Sequence, residues 1–175
     1  MEEQLTSLIG IDPGLSHPGA VELCRFSHGW TAISVPLLHS IDELSVWLVA
    51  RMRNPPIGLK LVAVESVQPA VWGMLSKGKT NYESLKIIQC RGVATLFAAF
   101  HGVPCVEVAP VTMRKQIVGN AHSDKEQMRA VIRQTVRQWP ERCNLNQTDA
   151  AAVALTAYRR ILPDALVGKM RSRHG

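Results

Sequence analysis

Long apolar runs are missing from this 175-residue chain, although 46% of its residues are hydrophobic. No stretch approaches the roughly 20 apolar residues that a membrane-spanning helix requires, so no membrane segment is expected. Aromatic side chains are scarce, at 5% of residues, so the core must be mainly aliphatic. The four cysteines, Cys24, Cys90, Cys105 and Cys143, form no CxxC pair and no Cys/His group with zinc spacing. They read as buried, reduced thiols of a cytoplasmic protein. Residues 1–6 are acidic and run straight into an apolar stretch, without the basic start of a secretory signal or an arginine-rich transit peptide. Internal repeats and low-complexity tracts are also lacking. Acidic residues are the minority charge: 14 Asp plus Glu against 20 Lys plus Arg leave +6. That excess suits a polyanionic partner, nucleic acid first.

What is present reads as one α/β domain. Leu8-Ile9-Gly10-Ile11 is a short buried strand ended by the turn Asp12-Pro13-Gly14. Ala20 to Phe26 and Thr31 to Pro36 follow as a hairpin across Ser27-His28-Gly29. Ser40 with Glu43 three residues later opens a helix as a capping box, and Asn54-Pro55-Pro56 stops it. Leu61 to Val64 form a buried strand that ends on Glu65. A loop over 68–82 precedes a long helix from about Tyr82 to Phe100, then a strand over Val103 to Val108. Ala109-Pro110 opens a short helix to Val118. Ser123 with Glu126 predicts a second capping box and a helix to about Trp139. The last helix starts near Asn146 and runs to Arg160. The expected architecture is a mixed five-stranded sheet flanked by helices. Its domain spans 1–163, and 164–175 is a basic tail.

Three carboxylates stand out by position. Asp12 and Glu65 each end a buried strand. If those strands are parallel neighbours, both acids emerge from one sheet edge, roughly 5 Å apart between backbones. Asp149, expected in the first turn of the last helix, can point back at the same edge. Chemistry in open α/β sheets is placed beyond the carboxyl ends of the strands. Three clustered carboxylates repel unless a cation neutralises them, and an oxygen-only donor set suits Mg²⁺ or Mn²⁺. Two such ions about 4 Å apart can serve both sides of a phosphodiester. Taken singly, Asp12 also fits a simple turn, and Asp149 a helix-start acid favoured by the macrodipole.

Along the chain come, in this order, Ile9-Gly10-Ile11-Asp12-Pro13-Gly14, Val62-Ala63-Val64-Glu65, Gln89 to Ala94, Val108-Ala109-Pro110, Arg114 to Gly119, Asp124-Lys125 and Thr148 to Ala152. In that order and spacing, the chain resembles the RuvC family of Holliday-junction resolvases. The resemblance covers about residues 7 to 160. It implies an RNase H-like fold, a homodimer, and metal-assisted cutting of four-way DNA junctions in a bacterial cytoplasm or a phage-infected cell. Asp12, Glu65 and Asp149 then correspond to three of four acidic ligands. At the fourth position the family usually has Asp and this chain has Asn146, whose amide oxygen can still bind Mg²⁺ but brings no charge. Asn144 and Gln147 are neighbours able to share that role. Lys125 and Arg114 resemble basic residues beside the scissile phosphate, with Lys125 counted among the catalytic groups and Lys115 a further candidate for DNA binding. In the loop Gln68 to Asn81, Trp72 resembles an aromatic wedge entering the junction centre, and Lys77 and Lys79 are phosphate contacts. The apolar residues of the long helix would contribute to the dimer interface.

Two other functions fit the same residues. Asn146 could mark a weakened metal site in a protein that binds branched DNA without cutting it. Alternatively, a nuclease of this fold could act on flaps or RNA–DNA hybrids.

Overall fold

The computed structural model describes residues 6–14, 17–66 and 82–161. Among these residues, five helices pack on the two faces of one six-stranded sheet. Strands β1 (Thr6–Asp12), β2 (Gly19–Phe26) and β3 (Gly29–Ser34) form an antiparallel meander. Helix α1 (Ile41–Arg53) leads to β4 (Leu59–Glu65), and α2 (Tyr82–Phe100) leads to β5 (Cys105–Val108). Helix α3 (Pro110–Ile117), α4 (Lys125–Thr135), β6 (Val136–Arg137) and α5 (Leu145–Ile161) complete the chain. The strand order is β5-β4-β1-β2-β3-β6, with β4 parallel to both β1 and β5 and β6 parallel to β3.

Side-chain alternation along the strands divides the core in two. Leu8, Leu61 and Ala63 lie with Val21, Leu23 and the alanine-rich inner face of α5. Ile9, Ile11, Val62 and Val64 pack instead against Leu44 and Leu48 of α1 and Cys90, Ala94 and Phe97 of α2. Helix α5 lies close over β1 and β2 because Gly10 and Gly19 carry no Cβ. A methyl on Gly10 would collide with the Ala150 carbonyl, and one on Gly19 with the Asn146 carbonyl.

The sixth strand corrects the five-stranded expectation. Helix α4 ends at Thr135 rather than near Trp139, because Val136 and Arg137 pair with Trp30 and Thr31 on the open edge of β3. Gln138 then turns the chain through the left-handed region at φ 54°. The α4 cap also moves by one residue. Asp124, not Ser123, accepts from the Gln127 amide at 2.8 Å, and the Gln127 side chain accepts from the Asp124 amide. This phase buries Met128 and Ile132 and leaves Glu126 in solvent. Strand β5 begins only at Cys105; Pro104 before it has no N–H for a ladder, but its carbonyl accepts from Val62 at 3.0 Å. The α1 cap forms as expected from Ser40 to Glu43, except that the Glu43 carboxylate accepts from His39 rather than Ser40. All four cysteines are free thiols; Cys105 is half-buried and the others buried. Among the described residues, no helix is long and apolar enough to cross a membrane.

Candidate metal centre

The first two acids are brought together by strand parity and register. Asp12 follows Leu8 and Gly10 at the two-residue period, so it shares their α5-facing side of β1. Glu65 follows Leu61 and Ala63 in the same way on β4. Ile11 pairs with Val64, which makes Asp12 and Glu65 lateral neighbours at the carboxyl ends of parallel strands. Asp149 descends from α5 onto the same spot. Each of the three offers an oxygen, and these oxygens lie within 4.8 Å of one another. Asp12 also accepts from the Gly14 amide at 3.0 Å, so the turn and the cluster use the same carboxylate.

Asp149 sits just beyond the first turn of α5 rather than within it, since the helix begins at Leu145. A second capping box explains that start. Asn144 Oδ1 accepts from the Gln147 amide at 2.9 Å, and Gln147 Oε1 accepts from the Asn144 amide at 2.8 Å. The Gln147 amide nitrogen also donates to the Pro36 carbonyl. Asn144 and Gln147 are therefore committed to helix capping and packing, not held ready as extra ligands. The Asn-x-x-Gln spacing is itself a capping signal. Asn146, half-buried between them, donates through Nδ2 to the His17 carbonyl at 2.6 Å and lies against Gly14.

Electrostatics show what the cluster lacks. Burial pushes the Glu65 carboxyl up to about 9, assisted by the charges of Asp12 and Asp149. Burial also raises Asp12, against the opposing pull of the Gly14 amide. Asp149 is raised by burial and drawn back down by Lys125 and Arg114. The Lys125 ammonium, first residue of α4, lies 3.1 Å from Asp149 Oδ2. Burial alone would lower its pKa, but the three acids together hold it above the ordinary lysine value. Cys90 is close enough to feel Asp12 and is pushed up to about 12, chiefly by burial, so it stays a thiol. One ammonium beside three carboxylates leaves excess negative charge, and the donor set is all oxygen. That chemistry fits hard divalent cations.

Of the remaining candidates, Arg114 is half-buried on α3 with its charge felt at Asp149, and Lys115 is exposed beside it. Trp72, Lys77 and Lys79 in the loop 68–81, and the segment 164–175, lie outside the described residues.

Comparison with known proteins bears on the family and the fold. The family described as "Crossover junction endodeoxyribonuclease RuvC" matches residues 8–157. The RuvC of Rhodopseudomonas palustris is 29% identical over 150 residues, covering 85% of this chain and 84% of that relative. The RuvC of Neorickettsia sennetsu is 31% identical over 161 residues, covering 86% of this chain and 92% of that relative. Among solved structures, T. thermophilus RuvC in complex with a Holliday junction substrate superimposes with a TM-score of 0.68. Its identity is 20%, covering 89% of this chain and 94% of that one. At that identity the likeness concerns the fold.

Proposed function

The chain belongs to the RuvC family of crossover junction endodeoxyribonucleases, and on that footing we propose that it resolves four-way DNA junctions by hydrolysing phosphodiesters at the Asp12–Glu65–Asp149 cluster. The observation that carries this reading is the convergence of three carboxylate oxygens within 4.8 Å at one sheet edge, in a chain of net charge +6. Asp12, Glu65 and Asp149 would hold two Mg²⁺ ions, with Mn²⁺ able to substitute. Bound there, such ions supply a water acidic enough to attack phosphorus and charge for the leaving oxygen. Asn146 has its amide nitrogen engaged by His17, so the amide oxygen is the donor atom it can offer a cation.

The protein's own groups do the positioning. The Gly14 amide fixes the Asp12 carboxylate. Lys125, at the first position of a capped helix, places a cation where phosphate charge builds up in the transition state. Arg114 adds a second positive charge on the Asp149 side, with Lys115 as an outlying phosphate contact. Trp72, Lys77 and Lys79 complete the proposed junction contacts, within a nuclease domain spanning 1–163.

Helix α2 supports a homodimer. Leu85, Ile88, Leu96 and Phe100 are exposed along this helix, and open space surrounds Gly92 between them. A large apolar helix face of this kind is the mark of a protein interface. Two-fold pairing through it would give the two active sites needed for paired nicks.

The test is cleavage of a synthetic four-way junction beside linear duplex, a flap and an RNA–DNA hybrid, in Mg²⁺, Mn²⁺ and EDTA. Paired, metal-dependent nicks near the crossover are expected. Tight junction binding without cutting in either metal would make the chain a junction binder with a weakened site. Equal attack on linear duplex would keep the nuclease and remove the junction preference.

A further inference from the structure

One row of positive charge runs away from the metal centre, starting at Lys125 and continuing in arginines that have no part in the chemistry described above. Lys125, Arg129 and Arg133 are spaced four residues apart on α4, which stacks them along one side of the helix. Arg137 of β6 continues the row. Its upper end is fixed by the contact between Lys125 and Asp149. Its lower end is fixed by the sheet. Arg137 and Val136 pair with Thr31 and Trp30, Trp30 pairs with Arg25, and Arg25 with Thr6, the first residue of β1. Asp12 is the last residue of β1, so the row descends the full height of the sheet.

The lower end opens into a cleft of about 620 Å³ lined by Arg133, Val136, Arg137, Gln138, Trp139 and Glu141. Arg133 and Arg137 are exposed there, and Trp139 is half-buried. Arg133 is braced by donating to the Glu141 carbonyl at 2.9 Å. Left-handed backbone at Gln138 turns the chain at the cleft wall. The acids along the row are few. Glu126 lies 3.8 Å from the half-buried Arg129, Asp124 is used by the α4 cap, and Glu141 lines the cleft.

We propose that the row Lys125–Arg129–Arg133–Arg137 is a phosphate track that guides one DNA strand from the scissile position along the flank of α4 into the cleft beside Trp139. Helical rise sets Lys125 and Arg133 about 12 Å apart, the axial span of three to four phosphates on one duplex strand. The guanidiniums recognise phosphate without reading bases, so the track orients a junction arm and leaves any sequence preference to other contacts. This rests on the junction-nuclease reading above and adds where an arm lies.

The test compares wild type with Arg133→Gln/Arg137→Gln, measuring affinity for a four-way junction in EDTA across a KCl series. Each lost phosphate contact lowers the slope of log K against log [salt] by about 0.9. The double variant should therefore lose about two from the slope and bind roughly 10-fold or more weakly, while its single-turnover cleavage rate at saturating protein stays unchanged. A control, Arg53→Gln/Lys60→Gln, removes equal charge from exposed positions outside the row and should leave the slope as it was. An unchanged slope in the double variant overturns the track, as does an equal fall in the control, which would mean diffuse attraction. If loss of the Arg133 brace unfolds the double variant, Arg137→Gln alone should lose about one from the slope, and no change there overturns the track equally. A wild-type chain that neither binds nor cuts the junction overturns the function itself, a result distinct from either.

Discussion

The Lys125 ammonium lies 3.1 Å from Asp149 Oδ2, tying the first residue of α4 to the one acid contributed by a helix. The pair sets the charge of the cluster before any cation arrives. Replacing the ammonium by a neutral side chain of similar reach, Lys125→Met, removes the group proposed to meet developing phosphate charge. Single-turnover cleavage of a four-way junction should fall about 10²- to 10³-fold. Junction affinity, measured in EDTA, should fall far less.

Asp12→Asn removes one of three crowded carboxylates while keeping a carbonyl oxygen for the Gly14 amide. Cleavage should vanish and junction binding persist. Relief of like-charge crowding should also raise the metal-free melting temperature at neutral pH, by about 2–4 °C for each kcal/mol regained. Loss of binding together with cleavage would show that the Asp12 turn is structural.

The raised carboxyls give the metal-free chain a defined pH dependence. A group whose folded-state pKa lies above its unfolded value contributes stability that is complete below the unfolded value and lost as pH climbs through the folded one. For Glu65 the window runs from the ordinary 4.5 to about 9; Asp12 and Asp149 are displaced in the same direction. In EDTA the melting temperature should decline from pH 5 to pH 9. Mg²⁺ competes with those protons, so the rise in melting temperature on adding it should be larger at pH 8.5 than at pH 6. Glu65→Gln should flatten the decline. A flat EDTA profile for wild type would contradict this account of the cluster.

Gly10→Ala places a methyl against the Ala150 carbonyl, next to Asp149. The helix must lift from β1, so this single methyl should destabilise the fold by several kcal/mol, more than the ordinary 1–3 kcal/mol of overpacking. Any folded fraction should cut poorly, because its helix-borne carboxylate is displaced. Urea titration and cleavage of the same preparation measure both effects.

Leu96→Glu/Phe100→Glu puts charge on the exposed apolar face of α2. If that face joins two copies, sedimentation should shift from dimer to monomer with little change in the unfolding midpoint, as both side chains are exposed. Paired nicks on one junction should become single, uncoordinated ones. A variant that remains dimeric would place the interface elsewhere.

Much of this arrangement is legible in the sequence because buried strands carry strong local signals. Leu8 to Ile11 and Leu61 to Val64 are apolar runs too short for helices, and each ends abruptly on an acid. Parallel pairing then puts the two acids side by side with little freedom left. Strand β6 is not legible in this way. Val136 and Arg137 extend a helical pattern, and only the unsatisfied edge of β3 draws them into the sheet. At Ser123-Asp124 two adjacent residues can each cap, and burial of Met128 and Ile132 decides between them. Asn144 and Gln147 carry a readable capping pattern, yet proximity to Asp149 makes them look like ligands. The row on α4 shows the same competition, since its arginines are indistinguishable in sequence from an ordinary solvated face.

The notches at Gly10 and Gly19 hold a helix from the end of the described chain against its first two strands. Asp12 therefore meets Asp149 only after nearly the whole domain has been synthesised. At a translation rate of about 5–20 residues per second, a nascent chain carries its first two acids for several seconds with no third to complete the set. An unfinished or truncated product lacking α5 cannot assemble the cluster at all. If cutting requires all three acids, the order of synthesis by itself keeps an unfinished chain from nicking DNA.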